Sequence, residues 1–160
     1  MRSGCIIAVA FLSACALGDA AAAVEHLSAV DRTALEHPQR VQMLHSTRAV
    51  PAIVKTACAA VISDHRFWLA DPGKPYNEAC DSDDRIPDRR LIWAARLPGH
   101  LVLHYESGGR AHSFHVIVVR LTGSAARVVW RASADEYKNY PAFIRALRSG
   151  KPDDTLDYMF

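Results

Sequence analysis

Residues 91–131 read LIWAARLPGHLVLHYESGGRAHSFHVIVVRLTGSAARVVWR. Four apolar runs stand out in this stretch: Leu91 to Leu97, His100 to Glu106, Ala111 to Leu121 and Ala126 to Ala132. Each is rich in Val, Ile, Leu or aromatic residues. They are separated by Pro98-Gly99, Ser107-Gly108-Gly109-Arg110 and Thr122-Gly123-Ser124-Ala125, residues that tolerate hairpin dihedrals. The pattern predicts an antiparallel meander of four strands. A fifth, edge strand is expected at His65 to Ala70, around Phe67 and Trp68.

A two-residue loop at Gly108-Gly109 would put His104 opposite Ser113 and Tyr105 opposite His112, a register that depends on loop length. With side chains alternating between faces, one face then carries Leu91, Trp93, Val102, His104, His115, Ile117 and Trp130 and is assigned to the core. The other carries Tyr105, Phe114 and a rim of Arg96, Arg120, Arg127 and Arg131 around an apolar middle. An apolar patch rimmed by polar groups marks an interaction site, and Tyr and Arg are the types that dominate interface energies. The competing expectation is that a terminal segment covers this face. Arg120 and Arg127 would face each other and need an acidic partner between them.

The same register gathers His104, Glu106, Ser113 and His115 on one face near the hairpin tip. A serine beside a histidine oriented by a carboxylate is the layout of a nucleophile with its base. Two histidines and a glutamate are alternatively a ligand set for a catalytic zinc. Against the first, Ser113 sits mid-strand without a strained elbow. Against both stands the simpler reading of polar residues finishing the open end of a sheet, so no cofactor or metal is expected.

Met1 to Gly4, the apolar run Cys5 to Leu17 and the small residues Gly18 to Ala23 have the three parts of a secretory signal, cleaved after about residue 22. Leu12-Ser13-Ala14-Cys15 offers a second reading, a lipoprotein signal whose Cys15 becomes a lipid anchor. Either signal delivers the chain to the periplasm or beyond. Nineteen Lys and Arg against seventeen Asp and Glu leave a net charge of +2, which argues against a nucleic-acid partner. The two cysteines beyond the leader, Cys58 and Cys80, are expected to pair as a disulfide in an oxidising compartment.

Residues 23–50 read as a short helical segment broken by Pro38, and its His26, His37 and His45 fit no zinc spacing. Residues 51–160 form the α+β domain. Pro51 opens a helix with Val54, Cys58 and Ile62 on one stripe, and Pro141 opens another with Phe143, Ile144 and Leu147. Both helices are expected on one face of the sheet. Between them, the loop 71–88 carries Asp81, Asp83 and Asp84, spaced like part of a calcium loop but with Ile86 and Ile92 where glycine and glutamate are required. The tail ends in Leu156, Tyr158, Met159 and Phe160 and is expected to dock on the body.

The functional expectation is an exported, non-enzymatic protein-binding module of the inhibitor or immunity type. It would engage a partner, such as a secreted effector or enzyme, through Arg96, Tyr105, Phe114, Arg120, Arg127 and Arg131 or through Asp81, Asp83 and Asp84. Self-association through the same face is the related expectation. The alternative is a small exported hydrolase or metal enzyme built on His104, Glu106, Ser113 and His115.

Overall fold

The computed structural model describes residues 26–62, 66–78, 83–109 and 111–154. The expected leader, Cys15, His65, Cys80, Asp81 and the tail beyond Asp154 lie outside the described residues. The element order is α1 (Ala29–Glu36), β1 (Gln42–Leu44), α2 (Ala52–Val61), β2 (Arg89–Leu97), β3 (His100–Ser107), β4 (Ser113–Thr122), β5 (Ala125–Ala134) and α3 (Tyr140–Arg148). The strands make one antiparallel sheet in the order β1-β2-β3-β4-β5, a meander with helices packed on it. Gly99 and Gly123 supply the positive φ that the two tight hairpins need. The fifth strand is Gln42–Leu44, and of the segment expected at 65–70 the described residues 66–70 make a parallel bridge from Ala70 to Arg90 and no strand.

The β3–β4 connection differs from expectation. Ser107 pairs with Ser113, so the loop is five residues, 108–112, and Tyr105 stands opposite His115 while His104 stands opposite Val116. Relative to the two-residue loop, this is an odd shift, and an odd shift sends every β4 side chain to the opposite face. Val116 and Val118 therefore join Trp93, Val102 and Trp130, and Ile117 and Val119 join Leu91, Leu101, Leu103 and Val128. Both sets are buried.

Each face has its own helical cover, which corrects the expectation of helices on one face. The stripe of α2, Val54, Cys58 and Ala59, packs with Phe67 and Leu69 on the face of Leu91, Leu103 and Tyr105. On the other face α1 brings Leu35, and α3 brings Phe143, Ile144 and Leu147, onto Trp93 and Trp130. Asn139 caps α3, accepting from the Ala142 N–H at 3.0 Å, with Pro141 in the first turn. The hydroxyl of Tyr140 donates to Leu35 O, and the Trp93 indole donates to Tyr137 O, both at 2.6 Å. Two aromatic donors thus hold the α1–α3 layer to itself and to the sheet.

Cys58 is a free thiol with no exposed surface, which corrects the expected disulfide with Cys80. The helix turns it onto the sheet because position 58 lies on the same stripe as Val54. Burial pushes its thiol up to about 12, so it behaves as a small apolar side chain. No described helix is long and apolar enough to cross a membrane.

Helix α1 is fastened by a buried ion cluster. Ser28 caps it by accepting from the Asp31 N–H at 3.1 Å, and the Ser28 hydroxyl donates back to the Asp31 carboxylate. Asp31, 1% exposed, also accepts from Arg120 through Nε at 3.0 Å and Nη2 at 2.7 and 2.6 Å, and it meets His100 Nε2 at 2.8 Å. Burial alone would raise its pKa, but the bonds from Arg120, Ser28 and His100 outweigh that and hold the carboxyl at about 2.

Asp31→Ala is expected to cost about 2 to 3 kcal/mol in urea unfolding at neutral pH, because the charge-assisted bonds to the buried carboxylate are lost while the 42% exposed Arg120 side chain turns to water. In the unchanged protein Asp31 titrates below its unfolded value of 3.8. Its contribution, about 2 kcal/mol, is present above that value and is lost as the pH falls toward 2, a slope that Asp31→Ala should remove.

Candidate functional site

Polar side chains concentrate at the open end of the β3–β4 hairpin, where residues 71–78 and 83–88 fold back beneath it. Asn77, itself buried, organises that loop. Its side-chain amide lies within donating distance of Asp83 O, Ile86 O and the Asp88 carboxylate, at 3.1, 3.2 and 2.7 Å. Its Oδ1 accepts from the Asp83 N–H at 2.9 Å, and its own backbone N–H donates to Pro87 O at 2.8 Å. Gly108 then lies directly on Asn77. A Cβ at Gly108 would stand 1.8 Å from Asn77 O, and the Gly108 N–H donates to Asp88 O at 3.1 Å. Only glycine admits that approach.

Two polar groups form on opposite faces of the hairpin. On the α1–α3 face the hub is Glu106, 7% exposed. It accepts from Arg90 Nε at 2.6 Å and from the Tyr76 hydroxyl at 3.1 Å, and it meets His112 Nε2 at 2.7 Å. The Arg90 guanidinium also lies over the Tyr76 ring, 4.5 Å from its centre. Burial raises the Glu106 pKa, but Arg90 and His112 more than offset it, and the net shift is downward. The adjoining open cleft is lined by Gly73, Lys74, Tyr76, Glu78, Asp83 and Arg90 among others.

On the α2 face Ser107, Ser113 and His115 form a triangle. Both hydroxyl oxygens lie close to His115 Nε2, Ser107 at 2.9 Å and Ser113 at 2.8 Å, and the two oxygens are 2.9 Å apart. The His115 ring stacks on Tyr105 at 5.1 Å. Burial, then the nearby charge of Arg89, lowers its pKa to about 4. A neutral ring carries one N–H, and its tautomer sets whether Nε2 accepts from a serine hydroxyl or donates to one.

The candidate residues are therefore brought together differently from the sequence expectation. Ser113 and His115 do meet, and Ser107 joins them. His104 and Glu106 sit on the opposite face, so the Ser113–His104 pair and the zinc set of His104, Glu106 and His115 are not formed. Among the described residues no three His, Cys, Asp or Glu side chains are grouped to hold a metal ion. His104 is occupied at both nitrogens. Its Nδ1 lies 2.9 Å from His115 O and its Nε2 accepts from the Tyr137 N–H at 3.0 Å. Because a carbonyl only accepts, Nδ1 carries the proton and the ring is neutral, consistent with a pKa lowered by burial to about 4.

The arginine-rimmed face is not one surface. Arg120 and Arg127 do pair across β4 and β5, but Arg120 is drawn onto Asp31 of α1, and Arg127 is exposed. Arg131 faces the other way and donates to Val61 O at 3.0 Å at the end of α2. Arg96 is exposed, Tyr105 is fully buried under α2, and Phe114 is half-buried beside His104 and His112. Of the acidic loop, Asp83 binds Arg85 in a fork at 2.8 Å, and Asp84 is exposed. Asp31, Tyr76, Asn77, Arg90 and Ser107 escaped sequence reasoning. For Asp31 there was a usable signal, since Ser28 with an acid three residues on is a helix-capping pattern.

Both buried histidines titrate below the unfolded value of 6.5. The unfolded chain takes up protons first, so the histidine contribution to stability rises with pH from about 4 to about 6.5, by about 3 kcal/mol per histidine, and is level outside that window. Urea unfolding across that range should show the slope, and His104→Asn should reduce it. No family model, curated protein or solved structure matches this chain.

Proposed function

We propose that the protein is an exported, non-enzymatic protein-binding module, of the inhibitor or immunity type, which grips its partner at the cleft beside the acidic loop. The observation that carries this reading is Arg90. It is held between the Tyr76 ring and Glu106 before any partner arrives, so little side-chain entropy remains to be lost on binding. Arginine and tyrosine are also the types that anchor interfaces. Exposed Lys74, Glu78, Asp84 and Arg85 surround it with both signs of charge, a rim suited to a complementary protein surface. A leader at residues 1–22 would place this encounter in the periplasm or outside the cell.

Capture from periplasmic extract on the mature protein, read by mass spectrometry, tests the proposal. A stoichiometric protein is expected with the unchanged chain and lost with the exposed-residue variant Lys74→Glu, Arg85→Glu. Retention of every captured protein by that variant would remove the cleft from consideration.

The Ser107–Ser113–His115 triangle favours a second reading, a small hydrolase with Ser113 as nucleophile. Its weakness is electrostatic. A base held at about 4 takes a proton poorly at neutral pH, and burial together with Arg89 opposes the imidazolium that serine chemistry must form. Ester hydrolysis abolished by Ser113→Ala would establish this reading, and equal rates for the two proteins would end it.

A further inference from the structure

We propose that the outer edge of β5 is a docking site for one more antiparallel strand, and that its occupant is the last six residues of the same chain, 155–160. β5 is ten residues long and stands last in the sheet order. A long edge strand is a template for pairing, and folded proteins cover such edges. Here the cover has already begun. The Ser133 N–H donates to Asp153 O at 2.8 Å and the Asp153 N–H donates to Ser133 O at 2.9 Å. Two bonds exchanged between the same two residues are the hydrogen-bonded pair of an antiparallel ladder.

The next residue gives the direction. The Asp154 carboxylate accepts from the Trp130 indole N–H at 2.8 Å, so the chain turns back from Ser133 along β5 and not away from it. Six residues follow Asp154, Thr155-Leu156-Asp157-Tyr158-Met159-Phe160. At about 3.4 Å each they reach about 20 Å, the length of β5 from Arg131 back to Ala126.

Their pattern fits the edge they would follow. Leu156, Tyr158 and Phe160 alternate with Thr155, Asp157 and Met159, the period of a strand with one apolar face. Continuing the register of Ser133 and Asp153 puts Leu156 across from Trp130. Leu156 then falls on the face where Trp130, Phe143 and Ile144 are buried, and Tyr158 and Phe160 follow the part of β5 beyond the bulge at Val129, where Val128 and Ala126 turn to the α2 face. In that ladder the Thr155 N–H, like that of Asp153, points at β5, and Thr155 exchanges its bonds with Arg131.

Amide hydrogen exchange on the mature protein tests this. Thr155→Pro, which lacks the N–H, and a chain ending at Asp154 should each speed exchange of the Arg131 amide by about tenfold or more. Thr155→Val keeps the N–H and should leave it within about twofold, and the amides of Val102 and Leu103 in β3 should be unchanged throughout, showing the fold intact. An Arg131 amide that exchanges equally in the shortened chain overturns the proposal. So does protection that disappears on dilution, which would make a second copy the occupant.

Discussion

The backbone of Gly108 is pressed against the carbonyl of Asn77, and much of the architecture follows from that contact. No side chain fits between them, and the Gly108 N–H is spent on Asp88 O. Residues 71–78 and 83–88 are thereby seated under the hairpin, with the Asn77 amide bridging the two stretches. Once Gly108 is fixed there, it is unavailable as the first residue of a tight two-residue turn. The chain leaves the sheet for five residues and returns at Ser113. Turn length sets register, and register sets which side of β4 meets which helix.

That register makes the sheet a middle layer. Tyr105, Leu103 and Ile117 go under α2, while Val116, Val118 and Trp130 go under α1 and α3. Covering both faces buries Leu101, Val102, Leu103 and Tyr105 of β3 and Val116 to Val119 of β4, and it leaves most of the polar side chains where the strands end. The two ends are treated differently. At the end bearing Arg120, two basic groups converge on a single buried carboxylate from α1. At the hairpin end, the Glu106 group stays at the surface, with half of the His112 side chain exposed. The first cluster centres on a carboxylate that is 2% exposed, and the second borders the open cleft.

The neutral histidines show how burial directs chemistry. His104 and His115 look alike in sequence, two residues of a hairpin with serine and glutamate nearby. One is consumed by backbone groups on both nitrogens, and the other meets two serine hydroxyls beside an arginine. Both are held neutral by the cost of charge in an apolar layer. A pair of histidines in a strand is thus a weak sign of catalysis, because the same residue can satisfy buried backbone groups that no apolar side chain can.

Local signals were strong along 91–131. Alternating apolar runs and the glycines at 99 and 123 suffice for an antiparallel meander, since strand period and turn conformation are properties of neighbouring residues. Pro51 and Pro141 likewise announce α2 and α3 through local rules. Which face each helix covers was not legible, nor was the union of Ser107, Ser113 and His115, because both depend on the 108–112 loop and hence on Asn77, thirty residues away. The partner of Arg120 lies 89 residues back at Asp31, and the free Cys58 was settled by the stripe that α2 buries. The sequence by itself determined the elements and their antiparallel order, through interactions that act over a few residues. Only tertiary structure decided the faces, the ion cluster and the site, because each is a contact between segments that share no local code.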